Sequence, residues 1–465
     1  MIAAEATPEM ELPADDRAFL GHPKGLGYLA FVEGCERFSY YSMQTLLVLY
    51  MVKYLLLPEH IGGVIGLDWL RANYYTGLGG QPLASAIFGD YTALVYLTPI
   101  LGGIVADRWL GRRATLVLGG LVMSLGHFLM AFEGSFLFAL IALIVGVGLF
   151  KGNIASQVGE LYSESDIRRA MAFQIFYIAI NVSVIVAPFI SGTLGEKVGW
   201  HWGFGSAGVV MVLGLLIYLV ARPWLPADNR PAGRGTAERA KMEGQDWLRL
   251  AAVLLLVPIL AMSLLTNQEI FNAYLVWADE HFQLTFFGMT IPTSWMIALD
   301  ATTSFSMLVA VALFWKWYGA RADARWREPD ELGKMIIGSL FSVAAGACLF
   351  TAAALQASGQ GAGRIGLFWP VMFHLLNSIA FSHILPVSLA LFSRLAPKAI
   401  NATVIGIYYL AFFAANKAVG IVGGWYSSMP TTTFWLLHIA AAAMGLAGFT
   451  LFKLLLAPRL LGEEA

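Results

Sequence analysis

The 465-residue chain has little charge and almost no cysteine. Only 13% of its residues are Asp, Glu, Lys or Arg, whereas 58% are hydrophobic and the mean hydropathy is +0.68. A soluble domain cannot bury that much apolar surface, so the composition predicts a protein whose solvent is the lipid bilayer. The net charge of −1 argues against nucleic acid as a partner.

The two cysteines, Cys35 and Cys348, are too few and too far apart for a disulfide framework. Both fall in apolar segments, where they are interpreted as small core residues. The chain also lacks the His/Cys spacings of zinc sites, a nucleophile elbow and a phosphate-binding loop. We therefore expect no metal, no cofactor and no enzymatic activity. The acidic, polar first 25 residues do not resemble a signal peptide.

Long apolar runs bounded by polar, glycine or proline turns predict twelve membrane-spanning helices. The segment 54–83 contains only short apolar pieces and is predicted to be a loop. The predicted spans are 26–53, 84–106, 112–132, 135–160, 169–193, 202–221, 248–275, 292–318, 332–356, 364–394, 400–425 and 431–457.

The segment 222–247 is rich in proline, glycine and charge, and predicts a solvated linker between two halves of six spans. Twelve spans divided in this way are the arrangement of the major facilitator superfamily. The predicted parts are a tail at 1–25, a first bundle at 26–221, the linker, a second bundle at 248–457 and a tail at 458–465.

Lysine and arginine are distributed unequally between the two sides of the predicted membrane. The termini and the loops after even-numbered spans hold 22 of the 29, the opposite loops hold four, and three lie within spans. By the positive-inside rule, both termini and the linker are predicted to be cytoplasmic, as in a multi-pass protein of the cell (inner) membrane.

Ionisable residues form a polar stripe on the first predicted span. At about 100° per residue, Glu33, Glu36, Arg37, Tyr40 and Gln44 lie within roughly 100° of arc. Such groups are costly in lipid, so they face protein or water and often mark an ion or substrate path. One interpretation is a static Glu33–Arg37 pair that holds two helices together. The other is functional, because two acids beside one base leave a spare carboxylate that can carry a proton.

The sequence GGIVADRWLGRR between the second and third spans resembles the signature loop of the major facilitator superfamily. The resemblance implies that Asp107 caps a neighbouring helix and that Arg108 and Arg112 brace the cytoplasmic side in one state. A simple anchor obeying the positive-inside rule is the alternative, and the two are compatible.

A narrower resemblance concerns the proton-coupled oligopeptide transporters, the POT or PTR family. EGCERFSYY, from Glu33 to Tyr41, is similar to the family signature E-x-x-E-R-F-x-Y-Y. The similarity continues through YLTPILGGIVADRWLGRR, GLFKGNIASQVGELY and FYIAINVSVIVAPFISGTLGEKVGWHWGFG. Echoes in the second half, IPTSW, LPVSLALFSRLAP and GIYYLAFFAAN, are weaker. The resemblance implies a monomeric symporter that imports small peptides with protons, driven by the proton gradient.

The resemblance also assigns roles to residues of the first half. Glu33 and Glu36 would be the coupling carboxylates, Arg37 would bind the carboxylate of the peptide, and Lys151 would pair with this cluster. Burial disfavours the ionised form of a carboxylate, whereas neighbouring cations favour it. Because the two effects oppose each other, one acid is expected to exchange its proton near physiological pH. The predicted pocket wall comprises Tyr40, Tyr41, Tyr96, Tyr177, Asn181 and Trp295, with ordinary packing as the alternative for the aromatic residues.

The second half departs from the family pattern. The linker is too short for the two additional helices of most bacterial relatives. Phe381 stands where the family places a glutamate for the amino group of the peptide. The other departures are Gln268 and Glu269 in swapped order, Asp300 in place of an asparagine, and Tyr408 in place of a tryptophan, with Lys417 following Asn416.

Asp300 has two interpretations, because an unpaired charge inside a bundle is costly. It accepts a cationic group of the substrate, or it forms a permanent pair with Lys417.

Asp90, near the outer end of the second span, is either a gate residue or a solvated acid at a helix start. The histidines within spans, among them His127, His374 and His383, are either proton relays or hydrogen-bonded structural residues.

Three functions follow from these patterns. The first is proton-driven import of di- and tripeptides or close mimics by alternating access. The second is proton-coupled transport of another carboxylate-bearing, peptide-like solute whose amino end is blocked or differently charged, which Phe381 and Asp300 motivate. The third is a membrane enzyme, whose motifs are missing from the sequence, or a receptor, which would have no need for a titratable pair opposite Lys151.

Overall fold

The structure is a computed structural model that describes residues 16–163, 166–227, 244–321, 328–359, 363–397 and 401–461. Most of the predicted linker lies outside these residues. The described part is almost entirely helical, which confirms the predicted all-α class.

Twelve helices of 18 residues or more occur within the described residues, one for each predicted span. They are α1 Lys24–Tyr50, α2 Gly80–Val105, α3 Arg112–Leu129, α4 Phe136–Glu160, α5 Arg168–Ala187, α6 Trp200–Val220, α7 Gly244–Glu269, α8 Trp295–Gly319, α9 Glu331–Ala357, α10 Phe368–Leu395, α11 Asn401–Gly423 and α12 Thr431–Leu455.

Ten of the helical segments are long and apolar enough to cross a membrane. The helices α1 and α3 are not among them. Glu33, Glu36 and Arg37 interrupt α1, whereas α3 has only 18 residues and begins with Arg112 and Arg113. The chain is therefore a multi-pass membrane protein, and the spanning role of α1 and α3 stays a prediction.

Short elements connect the long helices. Wider helical turns extend α1 over Met51–Leu55, α2 over Ala106–Leu110 and α5 over Pro188–Gly192 and Leu194–Val198. The predicted loop 54–83 contains two short helices, Pro58–Ile61 and Leu67–Asn73. The remaining elements are the helices Ala273–His281 and Ala457–Leu461, the paired strands β1 Thr285–Phe286 and β2 Met289–Thr290, and single turns at Glu133–Ser135, Arg222–Trp224 and Tyr426–Ser428.

A break after α7 is stabilised by a side chain from the helix itself. The chain leaves α7 at Glu269 and resumes helical geometry at Ala273. Backbone N–H groups at a new helix start lack helical acceptors. The Glu269 carboxylate accepts the N–H of Ala273 at 3.1 Å and so satisfies one of them.

Each half of the chain packs mainly within itself. In the first half, α1 contacts α5 and α6, α4 contacts α2 and α3, and α3 contacts α6. In the second half, α9 contacts α10 and α12, α7 contacts α11 and α12, and α8 contacts α10. The two halves meet where α2 contacts α11 and where α5 contacts α8.

Glycines allow α2 and α11 to approach closely. A Cβ atom built on Gly89 would lie 2.4 Å from the Cα atom of Gly420, and one built on Gly420 would lie 2.9 Å from the Cα atom of Gly89. No larger residue fits at either position without moving the backbone, so these glycines fix the distance between the halves.

The end of the N-terminal tail is ordered against the first half. The hydroxyl of Tyr162 lies 2.8 Å from the Nδ1 atom of His22, and Asp16 accepts the N–H of Lys24 at 2.8 Å. Arg168 reaches the carbonyl oxygens of Asp16 and Gly21 at 3.4 and 3.3 Å. Residues 16–23 are therefore part of the folded bundle, although the sequence predicted a tail throughout 1–25.

Candidate substrate and proton site

Three ionisable side chains of α1 meet inside the first half and form what we call the acid–base cluster: Glu33, Glu36 and Arg37. Their exposed fractions are 4%, 0% and 4%. The Nε atom of Arg37 lies 3.2 Å from a Glu33 oxygen and also donates to Glu36. Spacings of three and four residues put them on one face of the helix, as the sequence predicted.

The acid–base cluster has unused hydrogen-bonding capacity. Glu33 Oε2, Glu36 Oε1 and Arg37 Nη2 are buried and have no hydrogen-bond partner among the described residues. A single guanidinium faces two carboxylates, so the cluster by itself carries one excess negative charge when both acids are ionised. An unpaired charge in an apolar bundle is strongly disfavoured, so the cluster has room for one further cation or proton.

Lys151 on α4 lies near this cluster but does not form an ion pair with a described residue. Its Nζ atom is 5.2 Å from the ring centre of Tyr96, and the charges of Glu33, Glu36 and Arg37 act on it electrostatically. The direct pairing that the family resemblance implied is therefore absent in this conformation. A cation held over an aromatic face remains available for another anion.

Aromatic side chains adjoin the charged groups. The guanidinium of Arg37 lies 5.1 Å from the ring centre of Tyr40, which contacts Tyr41 edge to face at 5.1 Å. Tyr96 stacks on Phe412 of α11 at 4.9 Å, so it lies where the halves meet.

The second half holds a hydrogen-bonded chain around Asp300. The Asp300 Oδ1 atom lies 2.9 Å from His374 Nδ1 on α10, and His374 Nε2 lies 2.8 Å from the hydroxyl of Tyr274. Asn377 donates to the same Asp300 oxygen at 3.4 Å. His374 and Tyr274 are fully buried, whereas 12% of the Asp300 side chain is exposed.

Of the two interpretations of Asp300, the pairing with Lys417 is not found among the described residues. Lys417 instead pairs with Asp90 of α2 and donates to the hydroxyl of Tyr74 at 3.0 Å. The two residues therefore tie α11 to α2, whereas Asp300 faces α10. The sequence could not decide between these partners, because all of them lie on helices distant along the chain.

The comparisons with known proteins identify the family of the chain. A sequence model described as the POT family matches residues 113–236. The "Peptide transporter YePEPT" of Yersinia enterocolitica is 30% identical, over 88% of this chain and 89% of the relative. The chain belongs to the POT family.

Two further proteins match this POT protein along most of their length. The "Di-/tripeptide transporter" of Lactococcus lactis subsp. cremoris is 27% identical, over 85% of this chain and 88% of the relative. A crystal structure of a "peptide transporter POT in complex with sulfate" is 26% identical with a TM-score of 0.81, and covers 97% of both chains. POT members are transport proteins, so the expectation that the chain is not an enzyme is confirmed.

Several predicted pocket residues of this POT chain face other helices. Glu269 is fully buried, with its second oxygen 3.5 Å from His438 Nε2 on α12. Gln268 accepts from Asn416 at 3.4 Å. Tyr408 is only 3% exposed, and its hydroxyl lies 3.3 Å from Ser388 Oγ. These side chains are occupied within the second half and are not gathered at the acid–base cluster.

The other predicted pocket residues lie on α5, α8 and α10. Tyr177 is 41% exposed, and Asn181 donates to its carbonyl at 2.8 Å. The indole of Trp295 donates to Thr193 Oγ1 at 3.0 Å, and Phe381 is half-buried on α10. Trp295 thus connects the two halves instead of forming an isolated wall.

Contacts between the halves concentrate at one end of the molecule, which we call the joined end. It comprises the last turns of α1 and α5, the first half of α2, the loop before α8 and the second half of α11. Besides the Asp90–Lys417 pair, its links are Lys53 with Asp279 at 2.8 Å, Glu196 with the N–H groups of Thr293 and Ser294 at 2.8 Å each, Ser85 with Asn272 at 2.9 Å, and Gln81 with the carbonyl of Gly423 at 2.9 Å.

At the opposite end, no hydrogen bond or ion pair connects described residues of the two halves. There Arg112 pairs with Glu160 of the same half, and Asp107 and Arg108 are exposed without a described partner. The signature loop therefore braces α3 against α4 through Arg112, and the helix cap that the resemblance implied for Asp107 is not formed in this conformation.

Two contacts of buried histidines were not predicted from the sequence. His374 was interpreted as a proton relay or a structural residue, but its contacts with Asp300 and Tyr274 were not predicted. The contact of His438 with Glu269 was not predicted either. In both cases a histidine lies opposite a carboxylate from a distant helix, and nothing in the linear pattern records that proximity.

Proposed function

We propose that this POT protein is a proton-coupled symporter that imports di- and tripeptides or peptide-like solutes by alternating access, and that it works as a monomer in the cell (inner) membrane. The observation that carries the proposal is the acid–base cluster: two buried carboxylates share one arginine and keep atoms that have no hydrogen-bond partner among the described residues. Protonation of either acid would neutralise the excess charge.

The cargo follows from the same geometry. A peptide carboxylate would bind between Arg37 and Lys151, since among the described residues the Nη2 atom of Arg37 has no hydrogen-bond partner and Lys151 has no ion pair. Its arrival would remove the attraction that holds Glu33 and Glu36 ionised. Anion binding thereby favours proton binding at the acids, which is the positive coupling that a symporter requires. The relatives that are named as peptide transporters support peptides as the cargo.

The direction of access follows from the joined end. The lysine and arginine distribution places both termini in the cytoplasm, so the joined end faces outward. This orientation makes the structure an inward-facing conformation, closed by the contacts of Lys53, Glu196 and Lys417. The resting state was not predictable from the sequence.

The test uses purified protein in liposomes with an imposed pH difference, acidic outside. We expect radiolabelled dialanine to accumulate above its external concentration, and a protonophore to abolish that accumulation. Glu36→Gln should allow only equilibration, because one carboxylate and one guanidinium then balance and the cluster no longer has the excess negative charge that a proton neutralises. Glu59→Gln, an exposed residue of the outer loop, is the control and should behave as wild type. Full accumulation by Glu36→Gln would contradict the coupling role.

A second candidate cargo is a carboxylate-bearing solute whose amino end is blocked or differently charged. It is favoured by Phe381, a half-buried aromatic residue on α10 where the family resemblance places a glutamate. Competition for dialanine uptake separates the candidates. Inhibition by unblocked peptides alone supports the first, and equal inhibition by N-acetylated peptides supports the second.

A further inference from the structure

The carboxylates buried in the second half face histidines instead of permanent cations. Asp300 contacts His374, and Glu269 contacts His438. No lysine or arginine among the described residues forms an ion pair with either acid. Since an uncompensated charge in a bundle is costly, each carboxylate needs a proton on its histidine, a proton of its own or a cationic ligand.

Only the Asp300 pair is accessible to a ligand. Glu269 and His438 are completely buried, and Glu269 also caps the break after α7. Asp300 by contrast keeps 12% of its side chain exposed, and its Oδ2 atom makes no hydrogen bond to a described residue. Of the two acids, only Asp300 therefore offers exposed surface to a cationic ligand.

The hydrogen bonds determine where a proton resides when Asp300 is ionised. A carboxylate only accepts, so His374 Nδ1 must donate to it. Neutral His374 then accepts at Nε2 from the hydroxyl of Tyr274. The hydrogen-bonded group of Asp300, His374 and Tyr274 then carries one negative charge. A proton added to His374 makes the pair neutral and turns Nε2 into a donor toward the Tyr274 oxygen.

The groups that surround the Asp300–His374 pair come from four helices. The helix Ala273–His281 contributes Tyr274, α8 contributes Asp300, α9 contributes Cys348, and α10 contributes the neutral Asn377. Histidine is the side chain whose charge ordinarily changes between about pH 5 and pH 8.

We propose that His374 controls recognition of the substrate's amino end, because a proton on His374 and a substrate ammonium compete for the charge of Asp300. With His374 neutral, Asp300 binds the ammonium and unblocked peptides are preferred. With His374 protonated, Asp300 is already paired and peptides with blocked amino ends bind nearly as well. The choice of a peptide as the ligand rests on the proposed function, whereas the binding of a proton by His374 does not.

The binding test compares purified wild type and His374→Asn, whose amide keeps a donor for Asp300 but cannot take up a proton. Affinities for dialanine and for N-acetyl-dialanine are measured at about pH 7 and about pH 5, where the peptide amine stays protonated. In wild type, the preference for dialanine should fall about tenfold at the lower pH, within the usual range of coupling between sites. In His374→Asn it should change less than about twofold.

The matched control is His383→Asn on the same helix, where the histidine contacts Trp315 and faces no described carboxylate. It should retain the wild-type pH dependence. The proposal is overturned if the wild-type preference does not change with pH, or if His374→Asn retains the change.

A second measurement separates this proposal from the proposed function. Infrared difference spectra between the same pH values, without substrate, should show an imidazole band together with a carboxylate band. The contribution of the His374–Asp300 pair to these bands should be lost in His374→Asn and kept in His383→Asn, whereas the bands of the other histidines and acids remain in every variant. Unchanged spectra in His374→Asn would refute the proton site, whereas the expected spectra from a protein that transports no peptide would refute only the proposed cargo.

Discussion

Individual buried atoms without partners are the most informative feature at the scale of the residue. The acid–base cluster keeps an unpartnered guanidinium nitrogen, and Lys151 has an aromatic face instead of a carboxylate. Buried polar groups in folded proteins are almost always hydrogen-bonded, so such exceptions indicate a site that a ligand or a proton completes. The spacing of Glu33, Glu36 and Arg37 predicted this cluster correctly, because all three belong to one helix.

Lys151→Ala provides the residue-scale prediction. We expect the affinity for dialanine to fall by at least about tenfold, since a hydrogen bond to a charged group contributes roughly 1.5–3 kcal/mol. The affinity for dialanine amide, which lacks the carboxylate, should stay nearly constant. Binding to the purified variants measures both, with the exposed Lys197→Ala as the control. Equal losses for the two ligands would mean that Lys151 does not bind the carboxylate.

At the scale of the element, the apolar runs predicted each long helix but not how closely two helices approach. The sequence shows Gly89 and Gly420 as ordinary small residues of two spans. Only the packed structure shows that their backbones touch. The break after α7 was likewise not predicted, because the run continues through Ile270 and Phe271 and the cap by Glu269 depends on the folded chain.

Gly89→Ala tests the contact between α2 and α11. The added methyl group would lie 2.4 Å from the Cα atom of Gly420, so the two helices must separate at the joined end. We expect a longer spin-label distance between cysteines introduced at the exposed Val198 and Met289, in a background without Cys35 and Cys348. Gly103→Ala is the control, because its methyl group points into open space on the same helix. An unchanged distance in Gly89→Ala would show that the glycine contact does not hold the halves together.

At the scale of the whole molecule, the joined end holds two bundles in one of their possible arrangements. Its links are modest individually, since partly exposed ion pairs contribute about 1 kcal/mol or less. The alternating access proposed above requires this property, because contacts that close one side must break when the other side closes. The sequence could not reveal these links, because each one pairs residues on opposite sides of the linker.

Lys417→Ala tests this balance. Loss of its contacts to Asp90 and Tyr74 should lower the population of the inward-facing conformation relative to the outward-facing one about fivefold, the equivalent of about 1 kcal/mol. The spin-label distances described above would report the shift. Lys453→Ala removes a pair of similar exposure with Asp330, but inside the second half, and should leave the populations unchanged. A shift of equal size in both variants would indicate general destabilisation.

The sequence by itself determined the lipid environment, the position of each long helix and the acid–base cluster. These depend on composition and on spacing within one helix, which the backbone geometry of the helix converts directly into a shared face. Only the tertiary structure decided that Asp300 contacts His374 and that Lys417 contacts Asp90. Those partners belong to different helices, and the rotation and depth of each helix are set by packing against its neighbours, not by its own pattern.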